Sequence, residues 1–226
     1  MKILLLSMLL ALQLPLTAQT DTLRREVLLE TTMGNIRLVL YNETPKHRDN
    51  FLRLVKSGYY DGNLFHRVIT GFMIQSGDST TRHAKPGDEL GLYSPDYTVE
   101  AEILYPLLFH RRGVLAAARE GDDVNPTHAS SASQFYIVYG KRFDDEGLDK
   151  AQARLDKQTA GKVQMTPEVR EAYKKYGGTP HLDAQYTVFG EVVEGLDIVK
   201  DIQWVETDDK DRPLEDIRII KATVVK

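Results

Sequence analysis

No cysteine occurs in the 226 residues of this chain. That absence excludes disulfides, a thiol nucleophile and lipid attachment at a cysteine, and it suits an exported bacterial protein that avoids thiol oxidation. A strong charge of one sign is also missing: 29 Lys and Arg stand against 33 Asp and Glu, for a net charge of −4. With no basic patch, nucleic acid is not an expected partner. The acidic runs Asp144-Asp145-Glu146 and Asp208-Asp209 read as solvated loops. Internal repeats and low-complexity runs are absent. Hydrophobic residues make up 42% and charged residues 27%, an ordinary soluble composition, and the length suffices for one sizeable domain with a buried core.

The first 18 residues read as a secretory signal. Lys2 supplies the positive start, residues 3–16 are apolar apart from Ser7, Gln13 and Pro15, and Ala18 is a small residue suited to cleavage. The run is too short for a spanning helix; the competing reading is an uncleaved membrane anchor. The expected mature domain is 19–226, exported to the periplasm or the extracellular space, free of the membrane once the signal is removed, and monomeric.

Periodicity predicts strands over 27–30 and 35–41, with a turn at Thr32-Met33-Gly34-Asn35. Thr44-Pro45 predicts a helix start, with Thr44 as cap and Pro45 in the first turn, and the stripe Phe51, Leu54, Val55 runs on to a stop at Gly58. Residues 79–99 read as loop. Within 140–180 two helices are expected: one over 145–157 with Leu148, Ala151 and Leu155 on one face, the other from Thr166-Pro167 to Gly177-Gly178. This insert is either a lid over a site or a helical pair packed on the flank. The flank reading, which is preferred, predicts that its removal spares activity on short peptides. A last helix over 194–202 and a strand over 217–224 complete the chain. Periodicity alone supports a mostly β protein with a few helices.

The most informative stretch is Phe-His-Arg-Val-Ile-Thr-Gly-Phe-Met-Ile-Gln-Ser-Gly-Asp at 65–78. Its alternation suggests two short strands around a turn at Thr70-Gly71. Side chains two apart share a face, so Arg67 and Ile69 point one way and Met73 and Gln75 share a face after the turn. A guanidinium beside an amide and bulky apolar groups can grip a small apolar group and hydrogen-bond its carbonyl. The plainer reading is a sheet that carries an arginine on its solvent face.

This stretch resembles the core signature of the cyclophilins, the peptidyl-prolyl cis-trans isomerases, at every specified position. Three further blocks follow in order. Residues 113–119 (Gly-Val-Leu-Ala-Ala-Ala-Arg) resemble the family's Gly-x-Leu-Ser/Ala-Met-Ala-Asn/Arg strand, with Ala117 for methionine. Residues 133–137 (Ser-Gln-Phe-Tyr-Ile) resemble its Ser-Gln-Phe-Phe-Ile strand. Residues 181–192 resemble its Leu-Asp-Gly…Phe-Gly-x-Val segment, with Ala184 for the first glycine. The likeness runs over about 27–221 and implies a closed eight-stranded antiparallel barrel capped by two helices, here with an extra helical insertion where smaller members have a short connection.

The implied chemistry is rotation about an Xaa-Pro bond, whose barrier is about 18–20 kcal/mol because of amide resonance. No bond breaks; the enzyme favours a twisted amide over both planar forms. The resemblance makes Arg67 the donor to the proline nitrogen, with Gln75 holding Arg67 and a substrate carbonyl and Phe72 forming the pocket. Met73, Tyr136 and Leu182 would line that pocket, Ala118 and Arg119 would meet the peptide backbone, and Gln134 would lie beside it. His181 replaces the tryptophan of the best-studied members, which argues against tight cyclosporin binding, and Tyr186 replaces a histidine while keeping a donor. No cofactor or metal is implied, and His181 has no second histidine at ligand spacing. The expected substrates are proline-containing and unfolded exported polypeptides. The alternative is a cyclophilin-like module, or chaperone, that holds such segments without turnover.

Overall fold

A computed structural model describes residues 23–226, so the expected signal segment lies outside the described residues. β1 (Glu26–Thr31) and β2 (Gly34–Leu40) form a hairpin in which Val27, Leu29 and Ile36 are buried between partly exposed neighbours. The Thr31 hydroxyl donates to the Gly34 carbonyl (2.6 Å) and accepts from the Met33 N–H (3.1 Å), closing the turn.

Helix α1 (Pro45–Lys56) begins with proline and buries Phe51, Leu54 and Val55. Thr44 does not cap it as expected: its side chain is fully buried and makes no cap bond. The Glu102 carboxylate does so instead, accepting from the Lys46 and His47 N–H groups at 3.0 Å each, where a negative charge also suits the helix dipole. β3 (Arg67–Ile69) and β4 (Met73–Ser76) are the signature strands. The stretch read as loop holds a single-turn helix at Ser79–His83, capped by the Asp78 carboxylate (2.8 Å to the Thr80 N–H), and ends in β5 (Thr98–Val99). Then come β6 (Val114–Ala117), β7 (Ser130–Ser131), β8 (Phe135–Val138), α2 (Asp145–Thr159), α3 (Pro167–Lys175), β9 (Val188–Glu194), α4 (Leu196–Gln203) and β10 (Ile219–Val224).

Eight strands form one antiparallel sheet in the order β10-β1-β2-β9-β6-β8-β4-β3; β5 and β7 pair separately. A closed ladder was expected, but the sheet is open between β3 and β10. β3 is only three residues long and pairs with β4 alone. The residues that approach β10 precede β3, in an irregular stretch where Gly62 has φ +83°. They make a bridge between Leu64 and Arg218 and hydrogen bonds from the Phe65 N–H to the Ile217 carbonyl (2.9 Å) and from the Gly62 N–H to the Ile219 carbonyl (2.7 Å).

The two faces of the curved sheet carry different clusters. Leu29, Ile36, Leu38, Val68, Ile74, Leu115, Phe135 and Ile137 face the main core, covered by Phe51 and Val55 of α1 and by Val199 and Ile202 of α4. The period-2 partners Met73, Val114, Ala116, Tyr136, Val138 and Val188 form a second cluster on the opposite face. β6 and β8 are therefore buried along their whole length, and the second cluster is the base on which a site is built.

Candidate active site

The β3–β4 hairpin sets Arg67 opposite Gln75 and Ile69 opposite Met73, so all four share the face that was expected. Gly77 follows this strand where its backbone touches the segment that leads into β8: a Cβ there would stand 2.2 Å from the Ser133 carbonyl oxygen, and its φ of +107° disfavours any L side chain. On this face a cavity of about 170 Å³ is lined by Arg67, Phe72, Met73, Gln75, Ala118, Arg119, Tyr136, Leu182 and Tyr186. Nine of the residues named from the sequence thus converge from four separate chain segments.

The Arg67 side chain is 44% exposed at the rim. Its Nη1 donates to Gln75 Oε1 at 3.5 Å, and its Nε to Asp211 Oδ2 at 3.3 Å. Gln75 Nε2 donates to Gln134 Oε1 (2.9 Å), and Gln134 Nε2 donates to the Gly91 and Tyr93 carbonyls (2.8 and 3.0 Å). This chain of amides fixes which end of Gln75 faces the guanidinium and leaves Nε2 one further hydrogen. Gln134 therefore stands behind Gln75, buried, and does not line the cavity.

Phe72 and Leu182 form one wall, Met73 and Tyr136 the floor. His181 also lies outside the lining: its ring rests against Phe72, with centroids 5.4 Å apart. Burial pushes its pKa down to about 4, helped by the charges of Arg154 and His110, so it stands neutral. Ala118 supplies a wall, since its N–H donates to the Gln134 carbonyl (3.0 Å). The Arg119 side chain is folded inward, its guanidinium over the Tyr186 ring at 4.5 Å and its Nε donating to the Gln185 carbonyl at 2.9 Å. Among the described residues no group of three His, Cys, Asp or Glu is placed to hold a metal ion.

Three contributors were not read from the sequence. Asp211 reaches Arg67 from a loop 144 residues away. His110 accepts from or donates to the Tyr136 hydroxyl at 3.0 Å beneath the floor, and Asp183 holds that histidine (3.0 Å to Nδ1). No local pattern marks any of the three as part of a site, although Asp183 does fall within the last motif block.

The family model of the cyclophilin type peptidyl-prolyl cis-trans isomerases matches residues 26–224. Peptidyl-prolyl cis-trans isomerase CYP71 of Arabidopsis thaliana is 34% identical over 211 residues, which is 92% of this chain and 25% of that protein. A Staphylococcus aureus protein named for the same activity is 34% identical over 197 residues, 86% of this chain and 88% of its own length. The chain thus spans a quarter of the plant relative and most of the bacterial one. The crystal structure of a cyclophilin type isomerase from Cryptosporidium parvum superposes with a TM-score of 0.63 at 26% identity, covering 90% of this chain and 99% of that one. With the motif blocks assembled around one cavity and the family model matched from strand β1 to strand β10, the chain belongs to the cyclophilin-type peptidyl-prolyl cis-trans isomerases.

Proposed function

We propose that this protein accelerates cis-trans rotation of Xaa-Pro bonds in exported polypeptides as they fold. The observation that carries this reading is the placement of Arg67. A permanently charged guanidinium, held by Gln75 on one side and Asp211 on the other, stands at the rim of a cavity whose apolar part is made by Phe72, Met73, Tyr136 and Leu182. A proline ring seated on that apolar floor has its nitrogen at the rim. As the amide twists, the nitrogen becomes pyramidal and basic, and a fixed donor stabilises that form over both planar ones. Gln75 keeps the guanidinium oriented, and its remaining N–H serves a substrate carbonyl. Tyr186 keeps a hydroxyl at the cavity wall for the same purpose. A likeness in the same family supports the ligand: a Cryptosporidium parvum relative, 25% identical with a TM-score of 0.62, was crystallised in the presence of the dipeptide Ala-Pro.

Arg67→Ala should lower the rate on a short Xaa-Pro peptide by a factor on the order of 10² to 10³ while the protein stays folded, as for loss of one preorganised transition-state donor. A folded Arg67→Ala variant with wild-type rate is incompatible with this mechanism. If the wild type binds the peptide without accelerating its isomerisation, the protein is a holding module. The export reading rests on residues 1–18. Sequencing protein recovered from its host should find the N-terminus near Gln19, and an intact Met1 in a soluble intracellular pool excludes export. On the same reading the mature protein acts on unfolded exported chains.

A further inference from the structure

The insert leaves and rejoins the sheet at one point. Gly140 and Gly178 lie against each other, and Lys141 and Gly178 exchange backbone hydrogen bonds (3.0 and 3.3 Å). From this base, α2 and α3 build a cluster of their own, Leu148, Met165, Val169 and Tyr173, packed on Tyr105, Phe109 and Phe143. No residue between 141 and 177 lines the cavity, so the insert is not a lid over it. It lies behind the cavity wall formed by residues 182–186.

One residue of the insert connects through buried polar groups to the cavity floor. The Tyr173 hydroxyl, on α3, donates to Asp183 Oδ2 at 2.7 Å. Asp183 Oδ1 accepts from the His110 backbone N–H (2.8 Å) and faces His110 Nδ1 (3.0 Å). An ionised carboxylate only accepts, so Nδ1 donates to it, and Nε2 meets the Tyr136 hydroxyl at 3.0 Å. Tyr173 and Asp183 are fully buried, and His110 is 1% exposed. Tyr136 stands where the family motif has phenylalanine, and its hydroxyl is the end of this relay. A second, outer connection runs from α2: Gln185 Nε2 donates to Gln158 Oε1 (3.0 Å), and the Gln185 carbonyl receives the Arg119 guanidinium that covers Tyr186.

We propose that the insert is a buttress for the proline pocket, in which Tyr173, through Asp183 and His110, positions Tyr136, while Gln158, through Gln185, positions the Arg119–Tyr186 wall. Tyr173 and Asp183 are then positioning residues for the isomerisation, an inference that rests on the isomerase reading. The physical reason is that a buried donor or acceptor without its partner is costly, so each member has one preferred geometry while the relay is complete. The floor and wall grip the ring in planar and twisted forms alike, so loosening them weakens binding of both and raises KM, while the Arg67 donor and kcat remain.

The test is a two-by-two cycle of Tyr173→Phe and Tyr136→Phe, with kcat and KM measured on a short Xaa-Pro peptide and folding checked by thermal melting. Tyr173→Phe should raise KM about three- to tenfold with kcat within about twofold, and in the Tyr136→Phe background its effect should shrink to about twofold or less. An equal factor in both backgrounds, a lowered kcat at unchanged KM, or no change at all overturns the proposal. Should Tyr173→Phe fail to fold, the exposed Gln158→Ala serves: a KM raised about two- to threefold supports the buttress, and an unchanged KM overturns it. A wild type that neither binds nor turns over the peptide overturns the isomerase reading and this inference together. An active wild type with any of the contrary outcomes overturns this inference alone.

Discussion

Two residues decide how firmly the guanidinium is aimed, and only one of them belongs to the signature. Gln75 lies opposite Arg67 in the hairpin register. Asp211 comes from a distant loop, where its φ is +65° and its carbonyl accepts from the Val68 N–H at 2.8 Å. Asparagine tolerates that backbone conformation, so Asp211→Asn removes the charge and little else. Both partners are about half exposed, which limits the pair to the strength of a surface ion pair. Asp211→Asn should therefore lower kcat/KM by about two- to fivefold with melting unchanged, a fall far smaller than that of Arg67→Ala. A loss as large as Arg67→Ala would make Asp211 part of the chemistry instead of its orientation. Ala184 is a second case: it occupies the family's glycine position and has φ +58°. The left-handed region strains any L residue, whereas glycine pays more in unfolded-state entropy. Ala184→Gly should thus raise stability by roughly 0.5–1 kcal/mol, read by denaturant unfolding; a loss of stability would show that the strain is already relieved.

The elements divide into those that make the sheet and those that support it. α1 and α4 seal the main core, while α2 and α3 carry their own small core. In α3 the Thr166 hydroxyl accepts from the Val169 N–H at 3.3 Å, the cap its sequence predicts, whereas in α2 Asp144 Oδ1 accepts from the Gly147 N–H at 2.8 Å, so the acidic run read as a solvated loop instead caps and opens a helix. Leu148 of α2 is fully buried against Met165, Val169 and Tyr173. Leu148→Ala should cost about 2–5 kcal/mol through lost burial and the cavity left behind. If the insert and sheet unfold as one unit, that loss lowers the melting temperature of the whole protein; a separate early transition would show that the insert melts alone. On the proposed buttress, removing the insert takes away the partners of Asp183 and Gln185, so activity on short peptides should fall where the flank reading expects it to be spared. The helices were legible from the apolar stripe of α2 and the Thr166-Pro167 start of α3, but the sequence has no feature that shows what their buried faces touch.

For the molecule as a whole, burial pushes three histidines, His47, His66 and His181, toward the neutral form. Burial lowers the pKa of His66 to about 4, with Asp78 opposing and Arg67 assisting. Burial likewise lowers His181 to about 4, and it lowers His47 despite the Glu102 carboxylate beside it. In the unfolded chain these groups titrate near 6.5, so between pH 6.5 and about 4 the unfolded state binds more protons than the folded one. Stability should therefore be full above that window and fall as the pH is lowered through it. Melting temperatures from pH 7 to pH 4 test this, and His66→Gln should flatten the decline. A melting temperature constant over that range would mean that these side chains are solvated enough to charge within the fold.

The signature hairpin, the alternation of the strand faces, the two insert helices and the Thr166 cap follow from side-chain periodicity and short-range capping, while the nine cavity residues were named through the likeness to the cyclophilin motifs. The packed fold supplies the rest. It placed Glu102 and not Thr44 at the start of α1, set Asp211 beside Arg67, left the ladder open between β3 and β10, and joined Tyr173 to Tyr136 through Asp183 and His110. Each of these pairs residues far apart in the chain, and such a contact is fixed by how packed faces meet in space and leaves no period in the sequence to read.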